Sequence, residues 1–251
     1  MSIGYREKLI SSEFKYRIYM THRFIKFFPL HWICLIIILP LSLLHFEVWK
    51  ISAFITNVAL LQTWIPIRKI YFSFNSVSWY LADTMFFSIL FPGLYKIIAF
   101  GGRSRKIMIA MLALAYLLLV VILPEDQYHA ILYINPLIRL ADFIFGIYLG
   151  LLHVDFQKKT EKYKQRKYYN VLINLIVITC TLLLVIESCI LSDETRMIAP
   201  VYWPLVTLVI ISSSLSRSPI WGGAIFNTSW WIKFYHIHDT PDNFTIYNHR
   251  I

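Results

Sequence analysis

Acidic residues are scarce in this chain. Fourteen Asp and Glu stand against 24 Lys and Arg, and charged residues of both signs make up only 15% of the sequence, where a soluble domain carries about 25%. With 58% hydrophobic residues and 17% aromatics, so little charge excludes an ordinary soluble protein and implies an integral membrane protein. The surplus of positive charge then belongs to basic loops that flank membrane helices, and no nucleic-acid partner is expected. Cysteine is also rare. Cys34, Cys180 and Cys189 all lie in or beside apolar stretches, so there is neither a disulfide framework nor a CxxC metal site. A Gly-rich phosphate loop, a nucleophile elbow and an HExxH helix are all missing. His236, His238 and Asp239 are the nearest approach to a metal set, but a neighbouring pair in an irregular tail is not one, and no metal is expected. No cleavable signal peptide is visible, because the first 26 residues are polar and basic. No internal repeat or low-complexity linker divides the chain.

What the sequence does contain is a series of apolar runs: Phe27–Phe46, Ile51–Trp64, Val77–Phe100, Ile107–Leu123, Ile131–His153, Tyr168–Leu191 and Pro200–Leu215. Runs near twenty residues can cross a bilayer as helices, which satisfy their own backbone groups. Ile51–Trp64 is too short and includes Asn57 and Gln62, as a re-entrant or interfacial piece would. Charge supports that reading. The arm 1–26 and the loop 154–167 carry six basic residues each, which places both in the cytoplasm. An odd number of crossings must then lie between the arm and loop 65–76, so Ile51–Trp64 does not cross. With this assignment sixteen of the 24 basic residues fall in cytoplasmic loops. The expected fold is an all-α polytopic membrane protein with about six transmembrane helices and one short re-entrant segment. Its expected divisions are a cytoplasmic basic arm (1–26), a membrane domain (27–235) and an irregular tail (236–251).

Within the apolar runs a few polar groups stand out. Asp83 lies in NSVSWYLADTMFFSILFP (75–92), behind Asn75, Ser76 and Ser78, which suit a helix start, and behind Trp79 and Tyr80, which suit the lipid–water boundary. A carboxylate in such a run costs several kcal/mol unless it is paired, protonated or facing a polar cavity. Arg139 and Asp142 are three apart on one helical face of NPLIRLADFIFGIYLG (135–150) and can pair. Gly146 and Gly150, spaced by four, suit close helix approach. The pair serves either as a structural lock between helices or as one wall of a buried site; with Asp83 in another span, a shared polar cavity is the expectation. Arg23 and Lys26, also three apart, face the same way at the cytoplasmic boundary, as a membrane anchor or as a clamp for a phosphate-bearing donor.

These segments resemble the membrane acyltransferase 3 family, whose members O-acylate carbohydrates and related molecules at the bacterial envelope. RFIKFFPLHW (23–32) resembles its basic segment leading into a proline and a span, and NVALLQTWIP (57–66) its short segment with Gln and Trp. Residues 75–92 resemble its Ser-Trp, Leu, Glu and Pro signature, and 135–150 its Pro, Arg, Glu-Phe and Gly signature. Together they cover about residues 14–153. Lys26 stands where Arg is usual, and Asp83 and Asp142 where Glu is usual. The family begins with two further spans, the first bearing a catalytic Arg and His, so this chain is expected to be a fragment with no catalytic base of its own. The resemblance implies a multi-pass protein of the inner (cytoplasmic) membrane with its N-terminus in the cytoplasm. It implies acetyl transfer from acetyl-CoA or another acyl-CoA to a carbohydrate or lipid-linked glycan, with no bound cofactor. By the same resemblance Arg23 and Lys26 are donor-side residues, and Trp79, Asp83, Asn135, Arg139 and Asp142 are pocket residues. The alternatives are a transporter or flippase fragment for an envelope glycan, and a non-catalytic remnant.

Overall fold

The structure, a computed structural model, describes Leu9 and residues 14–44, 47–160 and 167–215. The tail from 236 and the histidines in it lie outside the described residues, as do residues 161–166 of the loop 154–167. Among the described residues every regular element is helical, as expected of an all-α polytopic membrane protein.

The order is α1 (Tyr16–Leu43), α2 (Trp49–Val58), a 3-10 turn (Gln62–Trp64), α3 (Arg68–Tyr71), α4 (Ser78–Phe100) and α5 (Gly102–Ile122). After a second 3-10 turn (Glu125–Gln127) and a π-helical turn (His129–Ile134) come α6 (Pro136–Thr160), α7 (Lys167–Ile190), α8 (Asp193–Arg196) and α9 (Ala199–Leu215). Five of these, α1, α4, α5, α6 and α7, are long and apolar enough to cross a membrane. The expected sixth span is the shorter apolar helix α9, of 17 residues. The first helix begins at Tyr16, so the last part of the basic arm is helical and continuous with the first span.

Among the described residues the exposed surface is rich in large apolar side chains, and several polar groups are buried with the apolar core. Leu30, Ile33, Ile37, Val121 and Ile122 are exposed, whereas Arg23, His31, Asn57, Gln62, Ser88 and Asp83 are buried. This is the arrangement that lipid demands, since outward polar groups would lose their hydrogen bonds. Helix α6 is central and packs on α4, α5 and α9. Its inner half joins α4 in a dry core of Phe91, Tyr95, Ile98, Ile144 and Ile147, against which Tyr19 of α1 packs. The Tyr19 hydroxyl donates to the Ser88 carbonyl at 3.1 Å, and Phe28 packs with Ala82, so α1 and α4 run antiparallel. The corner between α4 and α5 is made by Gly101 and Gly102. Gly102 has φ +50°, where a side chain is strained, and a Cβ on Gly101 would lie 2.7 Å from the Ile97 carbonyl. At Gly146 an added Cβ would meet nothing within 4 Å, so the close helix approach expected there does not occur.

The short segment is as brief as expected. Ten residues of α2 are half the length of a span. Lys50 Nζ donates to the Ser42 carbonyl at 2.8 Å, and Trp32 Nε1 to the Val58 carbonyl at 3.0 Å, so α2 runs back along α1. The chain then breaks at Leu60, whose φ of 56° is rare for a β-carbon-bearing residue. It forms the 3-10 turn against α4 and leaves by way of Phe74, at φ 58°. Two left-handed residues thus bracket the return. Such strain, about 1–3 kcal/mol each, persists only where the surroundings over-determine it.

Candidate functional site

The site is assembled where the 3-10 turn, the start of α4 and the start of α6 meet. Asp83, one and a half turns into α4, is only 2% exposed. Thr63 of the turn stands against its carboxyl group, and the Arg139 charge reaches it from α6. No hydrogen bond of full geometry forms at either carboxylate oxygen or at the Thr63 hydroxyl. Arg139 is instead committed to Asp142, one turn along its own helix, at 2.6 Å. The other oxygen of Asp142 accepts a hydrogen bond from the Trp203 indole N–H of α9 at 2.7 Å. The pair is therefore local to α6, and Trp203 carries it to another helix. Arg139 thus pairs with Asp142, and its charge also reaches Asp83.

Around this centre lies an aromatic wall. The Arg139 guanidinium sits 5.7 Å from the Tyr133 ring, and Tyr133 packs on Trp79 at 5.1 Å and on His129 at 5.5 Å. His129 Nδ1 is hydrogen-bonded to the Tyr71 hydroxyl at 3.0 Å. Burial, reinforced by the Arg68 charge, holds the His129 pKa below the ordinary imidazole value, so the ring stays neutral. Burial also raises the Tyr71 pKa, against the opposing pull of Arg68. His129 and Tyr133 belong to the π-helical turn, a local irregularity that is common at functional positions.

A second polar network ties the short segment to its neighbours. His31 Nε2 donates to the Asn57 carbonyl at 2.8 Å, and Asn57 Nδ2 donates to Ser73 Oγ at 2.8 Å. Ser78 Oγ donates to Asn57 Oδ1 at 3.3 Å and accepts from Gln62 Nε2 at 3.1 Å. These are short, buried side chains in an apolar setting, and their bonds hold the turn against α4.

Three expected site residues, Asn135, Arg23 and Lys26, lie away from this centre or do not act together. Asn135 starts α6: its side-chain oxygen accepts the Leu137 N–H at 2.9 Å and its carbonyl accepts the Arg139 N–H at 3.0 Å. It thereby sets the helix register that aims Arg139. Arg23 and Lys26 do not face the same way. Arg23 is 6% exposed with its guanidinium 5.1 Å from the Tyr19 ring, while Lys26 is exposed, its ammonium 6.0 Å from the Phe27 ring. The buried stripe of α1 passes from Tyr19 and Arg23 to Phe28, His31 and Leu35, which leaves Lys26 on the outer side.

Sequence reasoning missed Trp203, Thr63 and the Tyr71–His129 pair. Trp203 carried one usable signal: an indole N–H in an apolar helix needs a partner. Comparison with known proteins adds no relative: no family model, no curated protein and no solved structure matches this chain.

Proposed function

We propose that this chain is the core of a membrane O-acyltransferase that moves an acyl group, most simply acetyl, from acyl-CoA to a carbohydrate hydroxyl. One observation supports it above the rest: the four segments that resemble the acyltransferase 3 family meet around one buried polar centre. Segment 23–32 bonds to 57–66 through His31 and Trp32, and 57–66 bonds to 75–92 through Gln62 and Ser78. Segment 75–92 stacks on 135–150 through Phe87 and Phe143, 4.9 Å apart, and shares the Arg139 charge. Segments dispersed in sequence converge when they serve one site. In this reading the glycan lies along Trp79 and Tyr133, and Arg139 offers positive charge to the oxyanion that develops on the thioester carbonyl. The acceptor oxygen bonds to the carbonyl carbon, the carbon–sulfur bond breaks, and the CoA sulfur takes the proton. Lys26, the exposed member of the basic pair, meets the donor phosphates. The general base is assigned to none of this chain's residues.

The orientation proposed is cytoplasmic for the arm and for loop 154–167 in an inner membrane. Single cysteines at Gln127 and Gln165 are expected to label from opposite sides; labelling from one side rejects it. The activity test uses membrane vesicles holding the chain, alone and joined to two preceding spans of the resembling family, with radiolabelled acetyl-CoA. Label is expected in glycan with the joined form, and Arg139→Ala is expected to abolish it. Glycan crossing the bilayer with no label transferred from either form favours the flippase reading.

A further inference from the structure

The charges around Asp83 do not balance. Two carboxylates, Asp83 and Asp142, share the single guanidinium of Arg139, which is bonded to Asp142 at 2.6 Å. When both are ionised, one negative charge is left over in an apolar interior, where it demands a counter-charge. The Thr63 hydroxyl stands beside it, and Gln62 is the preceding residue of the same 3-10 turn. Asp83, Thr63 and Gln62 are 2%, 1% and 0% exposed. Both carboxylate oxygens, the Thr63 hydroxyl and the Gln62 amide oxygen lack a hydrogen-bond partner in the protein. Gln62 is not idle, since its Nε2 donates to Ser78 at 3.1 Å; only its oxygen is left over. The backbone that presents Gln62 and Thr63 is a broken helix, interrupted at Leu60. Interrupted helices at membrane depth are a recurrent means of coordinating alkali ions.

We propose that Asp83, Thr63 and Gln62 form a binding site for a monovalent cation, with sodium as its occupant. Oxygen ligands suit a hard cation and exclude the soft-ligand transition metals. The single surplus negative charge suits a monovalent ion, because a divalent one would reverse the imbalance. Binding would tie the 3-10 turn to α4, the two elements whose contact shapes the polar centre.

The test uses the full chain in lipid nanodiscs. Retention of radioactive sodium is measured in competition with lithium, potassium and choline, and thermal unfolding is followed in sodium and in choline chloride at equal ionic strength. Saturable retention displaced by unlabelled sodium but not by choline is expected, with a higher unfolding midpoint in sodium, as for any ligand that binds only the folded state. Asp83→Asn, nearly the same shape, is expected to lose both effects, and Thr63→Val to weaken retention while unfolding cooperatively. No retention by the unchanged chain from mildly acid to mildly alkaline pH would overturn the proposal, as would retention unchanged in Asp83→Asn. A pH-dependent midpoint that Asp83→Asn removes, without sodium retention, would assign the counter-charge to a proton and reject the site. None of these measurements depends on acyl transfer.

Discussion

Asp142 and Asp83 are aspartates of neighbouring helices, the first partly buried and the second buried, with opposite surroundings. Asp142 has a partner for each oxygen, Arg139 at 2.6 Å and Trp203 at 2.7 Å, and through Trp203 it links α6 to α9. Asp83 is more deeply buried and has neither oxygen bonded. A carboxylate placed for stability alone would have the surroundings of Asp142. The region around Asp83 instead keeps unspent polar groups, held by strained backbone at Leu60 and Phe74. Sites that must bind something are expected to look like the second region, and frames that must hold it like the first.

The largest effect should come from removing the group that both aspartates feel. Arg139→Ala leaves two carboxylates uncompensated; breaking a fully buried pair costs about 3–5 kcal/mol, and this pair is only partly buried, so the loss should fall below that range. Its accumulation in membranes should fall below that of Arg103→Ala, an exposed change; equal accumulation would show that Arg139 does not compensate the two carboxylates in the working protein. Trp203→Phe should come next. It keeps the aromatic packing on Phe145 but removes a hydrogen bond to a charged group, for about 1.5–3 kcal/mol. A midpoint unchanged in detergent unfolding would mean that Asp142 does not link α6 to α9.

A smaller, pH-dependent effect is expected at His129. Its folded pKa is lowered, so its contribution to stability is fully present above the unfolded value, about 6.5, and is lost as pH falls through the folded value. The unfolding midpoint should drop on acidification, and less in His129→Gln; identical pH profiles would refute the burial of the neutral ring. The smallest effect is expected at Asp83. In sodium-free choline buffer Asp83→Asn removes a charge without removing a bonded partner, so folded yield and midpoint should be unchanged or slightly raised. A loss as large as that of Arg139→Ala would erase the contrast between the two aspartates.

Much of this architecture was legible beforehand. The apolar runs place α4 and α7 within a residue at each end and α5 and α6 less closely, because the lipid-crossing part of a helix must be apolar while its ends need not be. The starts of α1 and α6 were less visible. Helix α1 begins at Tyr16, within a polar stretch, because Tyr19 packs there on α4 and Arg23 beside it is buried rather than facing lipid. Helix α6 begins at Pro136, after a π-helical turn that is as apolar as the helix itself. The pairing of Arg139 with Asp142 could be read from a spacing of three, since helical geometry brings such residues together.

The sequence by itself determined that the chain lives in a membrane, roughly where its helices run, and which ionisable groups lie at depth. These follow from transfer energies and helical periodicity, which are local. Only the tertiary structure decided that Thr63 stands beside Asp83, that Trp203 completes Asp142, and that Arg23 turns inward while Lys26 does not. Those facts depend on which helices meet and at what height. Packing between helices rests on contacts distant in sequence, and local composition cannot encode them.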